Sequence, residues 1–346
     1  MTVDVTTIVP MTIPRYIVPM HASITNTVLA ATGAREIQSA TVIQSLWSGY
    51  GEIVRLDLQG GRCASVILKH IKLPEAGVHP RGWNTSRSHE RKIRSYQVEA
   101  HWYRDYARQC DDSCRVPRCL AVNAAADETV LVLSDLDAAG FAVRKESATI
   151  QDIYACLDWL ASFHARFLGG SADGLWECGS YWHLDTRPDE LAALADVPLR
   201  QAAAGIDQEL ARCRFQTLIH GDAKLANFCF SGDAATPGVA AVDFQYVGRG
   251  CGMKDLAYFL GSCLRDDECE TLEASLLDYY FSRLREQLAQ KQPETDAASL
   301  EAEWRGLYDV AWADFHRFLK GWSPGHWKIN SYSERLTARV IERLNS

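Results

Sequence analysis

The chain has no uninterrupted apolar stretch long enough to cross a membrane, which takes about 20 such residues, and no long run of lysine and arginine. The first absence excludes a helical membrane span. The second, with a net charge of −8 over 346 residues, argues against a dedicated nucleic-acid binder, which carries a clustered basic footprint. Among its 11 cysteines there is no Cys-x-x-Cys pair. Cys110, Cys114 and Cys119 cluster, but the paired spacing and the fourth ligand of a structural zinc site are missing. Scattered cysteines, odd in number, are those of a reducing compartment, where they serve as small buried apolar residues. No internal repeat or low-complexity segment is visible. The first 20 residues contain Asp4, Pro10, Pro14 and Arg15 and no continuous apolar core, unlike a signal peptide, so the expected location is cytoplasmic. What the chain does have is 47% hydrophobic residues, enough for a sizeable core in two packed lobes.

Periodicity divides the chain. Residues 1 to about 35 read as an extended arm leading into a short helix. From Ser45 the texture is β: Ile53–Leu58 alternates, Gly60-Gly61 turns, and Ala64–Lys69 returns. Residues 74 to 87 carry proline, glycine, asparagine and serine and read as a loop. Residues 88 to 108 have helical spacing through Ile93, Tyr96, Ala100, Tyr103 and Ala107. Thr129–Leu133 is a strand, broken at 134 to 140. Helices are then expected at 150–168, 188–203, 256–264, 272–288, 298–319 and 333–344. The fold class expected is α+β: a β-rich lobe over 1–135 and a larger helical lobe over 136–346, with a cleft between them.

The densest chemical signal is Leu218-Ile219-His220-Gly221-Asp222-Ala223-Lys224-Leu225-Ala226-Asn227, followed after a hairpin by Asp243-Phe244-Gln245. The apolar run Thr217–His220 leads into it as a strand. Phe228–Phe230 and Val239–Val242 flank eight residues of turn punctuation. Phosphoryl transfer needs a carboxylate beside the attacking hydroxyl and oxygen ligands for Mg²⁺ on nearby backbone. Asp222 suits the first role, and Asn227 and Asp243, folded toward one another by the hairpin, suit the second. The spacing His-x-Asp-x-x-x-x-Asn is that of a kinase catalytic loop, with Asp-Phe-Gln where Asp-Phe-Gly would stand. Lys224 is placed to neutralise the transferring phosphoryl group; the competing reading is a solvent-facing loop lysine.

In the β-rich lobe, Lys69 ends an apolar strand and is a candidate clamp for the α- and β-phosphates of ATP, against the alternative of a strand-end lysine reaching water. Its carboxylate partner would be Glu99 on the following helix, with Glu90 the competitor near the helix start. Ser48-Gly49-Tyr50-Gly51 precedes the Lys69 hairpin; glycines there let backbone N–H groups approach phosphate, although Gly-x-Gly also marks ordinary turns.

These residues carry a resemblance. Ser95-Tyr96-Gln97-Val98-Glu99, Leu131–Leu136 with Gly140-Phe141, His220-Gly221-Asp222-x-Lys224-x-x-Asn227, and Asp243-Phe244-Gln245 with Asp255-Leu256-Ala257 together resemble the ecdysteroid-kinase-like, choline-kinase-like branch of the aminoglycoside phosphotransferase superfamily, over roughly residues 40 to 330. The resemblance implies a two-lobed protein-kinase-like fold, with Asp135 and Leu136 as the hinge that binds adenine through backbone. It implies Lys69 and Glu99 as the phosphate clamp, Asp222 as base, and Asn227 and Asp243 as Mg²⁺ ligands. Asp255 resembles a structural aspartate that buttresses the catalytic loop; as a residue alone it also reads as an N-cap for the helix that follows.

The partner expected is a small-molecule alcohol, with neither nucleic acid nor membrane. Asp255 follows Asp243 too closely for the activation segment of a protein kinase. Trp304, Tyr308, Trp312, Phe315 and Leu319 recur at helical spacing and read first as one buried helix face, second as a ligand-lining stripe. Trp322 and Trp327 flank a turn; an aromatic wall there suits an apolar polyol or, through cation–π contact, a quaternary ammonium. The other class of function open to such a chain is a catalytically silent, kinase-like nucleotide-binding or scaffold protein.

Overall fold

A computed structural model of the chain describes residues 20–46, 49–72, 86–125 and 128–346. These fall into two compact units: 20–72 with 119–135, and 86–118 with 136–346. The helix after the Lys69 hairpin therefore groups with the helical unit, although in sequence it falls within the β-rich part.

The first unit is a five-stranded antiparallel sheet with one helix. Helix α1 spans Ala22–Thr32. The strands are β1 (Glu36–Ser45), β2 (Gly51–Gln59), β3 (Ser65–Lys72), β4 (Cys119–Ala124) and β5 (Glu128–Ser134), in the order β1-β2-β3-β5-β4. Alternation builds the core: Val54, Leu56 and Leu58 of β2, Val66 and Leu68 of β3, and Val130 and Val132 of β5 bury one face against Ile24 and Val28 of α1. Two expectations change here. β1 reads as no strand in sequence because two bulges, at 37/39 and 42/44, break its alternation against β2. β4 was hidden for the same reason, with a register shift between Cys119 and Ala121.

The second unit begins with α2 (Ser86–His101), which passes into a π turn at Trp102–Tyr106 and a short 3₁₀ turn at Ala107–Gln109. There follow α3 (Ile150–Phe167), α4 (Pro188–Ala193), α5 (Val197–Ala211), α6 (Met253–Cys263), α7 (Asp266–Lys291), α8 (Ala297–Trp322) and α9 (Ser331–Leu344). Two short ribbons interrupt them: β6 (Thr217–Ile219) with β9 (Gly248–Gly250), and β7 (Phe228–Phe230) with β8 (Val239–Ala241). The single helix expected at 188–203 is two. Asp196 caps α5 by accepting from the Leu199 N–H, and Pro198 sits in its first turn, where a missing N–H costs nothing. β9 is read only from structure, since Gly-Arg-Gly carries no strand signal. Trp304, Tyr308, Trp312, Phe315 and Leu319 are all buried on α8, which is the helix-face reading, while Trp322 and Trp327 are exposed. All 11 cysteines are free thiols. Among the described residues no helix is long and apolar enough to cross a membrane.

Of the glycine-rich turn, Ser48 lies outside the described residues. Gly49 and Gly51 close the β1–β2 connection, with the Leu46 N–H donating to the Gly51 carbonyl at 2.7 Å. Gly51 pairs with Ile71, has φ +134°, and a Cβ on it would lie 1.9 Å from the His70 carbonyl oxygen. The neighbouring strand thus requires glycine here whatever the turn binds. Gly51→Ala is expected to lower unfolding free energy by more than about 2 kcal/mol from clash and strain together. At Gly49 a Cβ meets nothing within 4 Å, and the same change should cost only about 1 kcal/mol of left-handed strain. Denaturant titrations compare the two; equal midpoints would refute the close-approach argument.

Candidate active site

The loop 220–227 leaves β6 and is held from behind by Asp255 in the first turn of α6. The Asp255 carboxylate accepts the His220 N–H at 2.6 Å and the Gly221 N–H at 2.9 Å, and it lies 3.2 Å from His164 Nε2. Both side chains of the His164–Asp255 pair are fully buried. Asp255 is not the helix cap: the N-cap is Gly252, which has no side-chain bond. The carboxylate instead leaves the helix to satisfy loop amides that would otherwise be buried and unpaired. Gly221 has φ +76°, and a Cβ there would meet the Tyr246 carbonyl oxygen at 2.1 Å, so His-Gly-Asp admits only glycine at its centre.

His220 joins the loop to the next segment. Its Nδ1 accepts the Asp222 N–H at 3.2 Å and its Nε2 faces the Val242 carbonyl at 3.0 Å, an arrangement that assigns the ring proton to Nε2. Asp222 then presents its side chain from a 6% exposed residue. Oδ2 accepts from Lys224 Nζ at 3.0 Å and from Asn227 Nδ2 at 3.0 Å. Oδ1 is buried and has no hydrogen-bond partner among the described residues. Burial alone would pull the Lys224 ammonium down, but the carboxylates of Asp222 and Asp243 outweigh it and hold its pKa above the ordinary value.

The hairpin closes as the spacing requires. Phe228 pairs with Ala241, and the Val242 N–H donates to the Asn227 carbonyl at 3.0 Å. Asn227 gives Nδ2 to the Asp222 carbonyl oxygen at 2.7 Å as well as to Oδ2, so Oδ1 is its remaining polar atom. Asp243 has φ +69°, a left-handed conformation uncommon outside glycine and tolerated best by Asp and Asn. Phe244 anchors the turn by stacking on Trp102 at 4.5 Å and packing on His220 at 4.6 Å.

Gln245 is a site residue that sequence reasoning passed over. Its Nε2 donates to Asp243 Oδ1 at 2.7 Å, while its Oε1 accepts from Lys92 Nζ at 2.7 Å and from Ser95 Oγ at 3.3 Å. Glutamine where a kinase has glycine was the available signal, but the partners lie some 150 positions away. Among the described residues no group of three or more His, Cys, Asp or Glu side chains could hold a metal. The Asn227 and Asp243 pair suits Mg²⁺, which keeps waters and substrate phosphates as its other ligands.

Lys69 is buried on β3 between Ile53 and Leu131. Glu99 is buried on α2, whereas Glu90 is exposed. These two belong to different units. Asp135 spends its carboxylate within the sheet unit, accepting from Arg55 Nε at 2.8 Å and Ser65 Oγ at 2.8 Å. The Leu136 carbonyl accepts the N–H groups of Ala139 at 3.1 Å and Phe141 at 2.8 Å, so both of its lone pairs are engaged.

Three phenols also feel the charge of Asp222. Burial, followed by the negative charge of Asp222, pushes the Tyr258 and Tyr181 hydroxyls above their usual range. Tyr246 is raised by burial and also feels Asp222 and Asp243, against the opposing charge of Arg187 and Arg91. Nothing in the linear sequence groups these tyrosines.

Compared with known proteins, the model of the ecdysteroid kinase-like family matches residues 53–167 and 185–292, more than half of the chain, and the chain belongs to that family. No curated protein matches it. Similar solved structures include an aminoglycoside-3'-phosphotransferase of type VIII, at 17% identity over 84% of this chain and 100% of that one, TM-score 0.46. A microcompartment-associated aminopropanol kinase is 15% identical over 94% of each chain, TM-score 0.46. Choline kinase from Cryptosporidium parvum is 10% identical over 88% of this chain and 89% of its own, TM-score 0.49.

The geometry makes Asp255 the residue on which the loop stands. Asp255→Ala strands two buried N–H groups and removes the partner of His164, and a loss of about 3–5 kcal/mol in unfolding free energy is expected. Urea unfolding followed by circular dichroism measures it; a wild-type midpoint would show that the loop is held by something else.

Proposed function

We propose that this member of the ecdysteroid kinase-like family is an ATP-dependent kinase that transfers the γ-phosphoryl group to a hydroxyl of a small molecule. One observation carries the reading: the Asp222 carboxylate has one oxygen fixed by Lys224 and Asn227, its other oxygen is buried without a hydrogen bond of good geometry, and the Tyr258 hydroxyl stands near the carboxylate. A structural turn residue has no need to keep a desolvated lone pair unused. A base that awaits a hydroxyl donor does.

In this reading Asp222 Oδ1 accepts the hydrogen bond of the acceptor alcohol, orients its oxygen, and receives its proton as the new O–P bond forms. Fixing Oδ2 on two donors sets the carboxylate plane, so little reorganisation is left for the reaction. Lys224, bonded to Oδ2, carries the positive charge that the transferring group meets beside the base. Asn227 Oδ1 and the Asp243 carboxylate would hold Mg²⁺, and Gln245 fixes the rotamer of Asp243 through Oδ1. When bound, the metal supplies charge neutralisation for the β- and γ-phosphates. The buried ammonium of Lys69 is the proposed group for the α- and β-phosphates, and the burial of Glu99 favours it over exposed Glu90 as the functional carboxylate of α2. The segment from Asp243 to Asp255 is filled by a turn, β9 and the start of α6, which leaves no peptide-docking segment and supports a small acceptor.

Two measurements test the proposal. Asp222→Asn keeps the shape and removes the charge. It should leave MgATP affinity nearly unchanged by calorimetry and lower turnover by roughly two to four powers of ten. A folded, ATP-binding variant with wild-type turnover would sink the mechanism, and absence of any phosphoryl transfer by the wild type itself would favour a catalytically silent protein. Gln245→Ala frees Asp243 and should raise the Mg²⁺ concentration for half-maximal rate by about 10–100-fold, the usual effect of losing a ligand's supporting hydrogen bond. An unchanged Mg²⁺ requirement would remove Asp243 from the metal.

A further inference from the structure

The segment after α8 brings Lys328 back over the aromatic face of the helical unit. Its ammonium lies 4.9 Å from the centroid of the Tyr258 ring, 5.5 Å from that of Trp327 and 5.6 Å from that of Phe315. Three rings around one cation form an aromatic cage, the arrangement that otherwise recognises ammonium ligands. The backbone of Lys328 is pinned: its N–H donates to His326 Nδ1 at 3.2 Å, and its carbonyl accepts from Ser333 Oγ at 3.2 Å. Among the described residues the ammonium makes no hydrogen bond and no ion pair; the rings are its surroundings. The cage adjoins the proposed base, because Tyr258, one of its walls, is the phenol whose hydroxyl Asp222 perturbs. The Lys328 ammonium senses the same centre. Burial brings its pKa down to about 8, against the opposing charges of Cys263 and Asp222 and with the added repulsion of Lys224.

We propose that Lys328 is a specificity-determining residue: it fills, with the chain's own cation, the aromatic cage on the acceptor side of Asp222, and so selects against alcohols that carry an ammonium group. The inference rests on the reading of Asp222 as the base. An acceptor cation entering the same rings would meet the lysine ammonium at contact distance, with no carboxylate between them to screen the repulsion. An acceptor with an oxygen at that place would instead receive a hydrogen bond from Lys328, whose three N–H donors are unused within the described structure. Of the two acceptors that an aromatic wall at Trp327 could suit, the uncharged alcohol is therefore favoured and the quaternary ammonium rejected.

Tetramethylammonium is the probe, titrated into the full chain at constant ionic strength and followed by tryptophan fluorescence. The wild type should show no saturable change. Lys328→Met keeps the stem length and vacates the cage, and should bind the probe with an affinity at least about tenfold above any wild-type value. Lys328→Arg retains a cation and should stay closed. Adding Trp327→Ala to Lys328→Met should abolish the gain, which ties it to the cage. Wild type and Lys328→Met titrating alike, with the variant folded by its melting temperature, would overturn the proposal. A gain that survives loss of Trp327 would overturn it too. Calorimetry of MgATP with the wild type runs in parallel: failure to bind MgATP counts against the phosphotransfer reading, whereas the cage is judged on the tetramethylammonium titrations alone.

Discussion

The arrangement of the site depends on one desolvated carboxylate. Asp255 is fully buried, and what offsets the cost of taking its charge out of water is a set of donors aimed at it: two consecutive loop amides and the His164 ring. Because those amides belong to His220 and Gly221, satisfying Asp255 fixes the backbone immediately before Asp222. His164 is in turn held by the Tyr280 hydroxyl at 2.7 Å, so α3, α6 and α7 converge on the same point.

The residue before Asp255 does a parallel job in another direction. Lys254 is buried and lies 3.1 Å from Asp314 of α8, whose carboxylate also takes Arg317 Nη2 at 2.8 Å and Trp182 Nε1 at 3.0 Å. Burial would raise the Asp314 carboxyl, but Lys254 and Arg317 hold it down to about 2. A buried ion pair of this kind contributes less to net stability than to unique placement, since removing one partner leaves the other uncompensated. The first turn of α6 thus carries two consecutive charges, one bonded to the loop 220–227 and one to α8.

The same unit mixes its signs by distance. Asp222 and Asp243 hold Lys224 charged, while Lys328 lies among aromatic rings with no ion pair among the described residues. In the proposed reaction the first cation stabilises charge that develops during transfer, whereas the second acts before transfer, on which acceptor can dock.

The sequence by itself determined the family and the order of its motifs along the chain. The catalytic-loop spacing, the turn punctuation between Phe230 and Val239, and the alternation of β2 and β3 are local signals, written within a few residues of one another, and the structure keeps them. Asn227 and Asp243 flank the β7–β8 hairpin, where Phe228 pairs with Ala241 and the Val242 N–H donates to the Asn227 carbonyl. Of the two carboxylates weighed on α2, Glu99 is buried and Glu90 exposed, a difference the sequence did not show. Bulged β1 and β4, glycine-bearing β9 and the split of the 188–203 helix were not legible, because bulges and close backbone approaches erase the periodicity on which a linear reading relies. Tertiary structure alone decided that Gln245, bonded to Lys92, also holds Asp243, that Asp255 leaves its helix to serve the loop, and that Lys328 lies among the rings of Tyr258, Phe315 and Trp327. Each of these joins side chains from segments distant in the chain, and such a contact is set by packing, which no local pattern encodes.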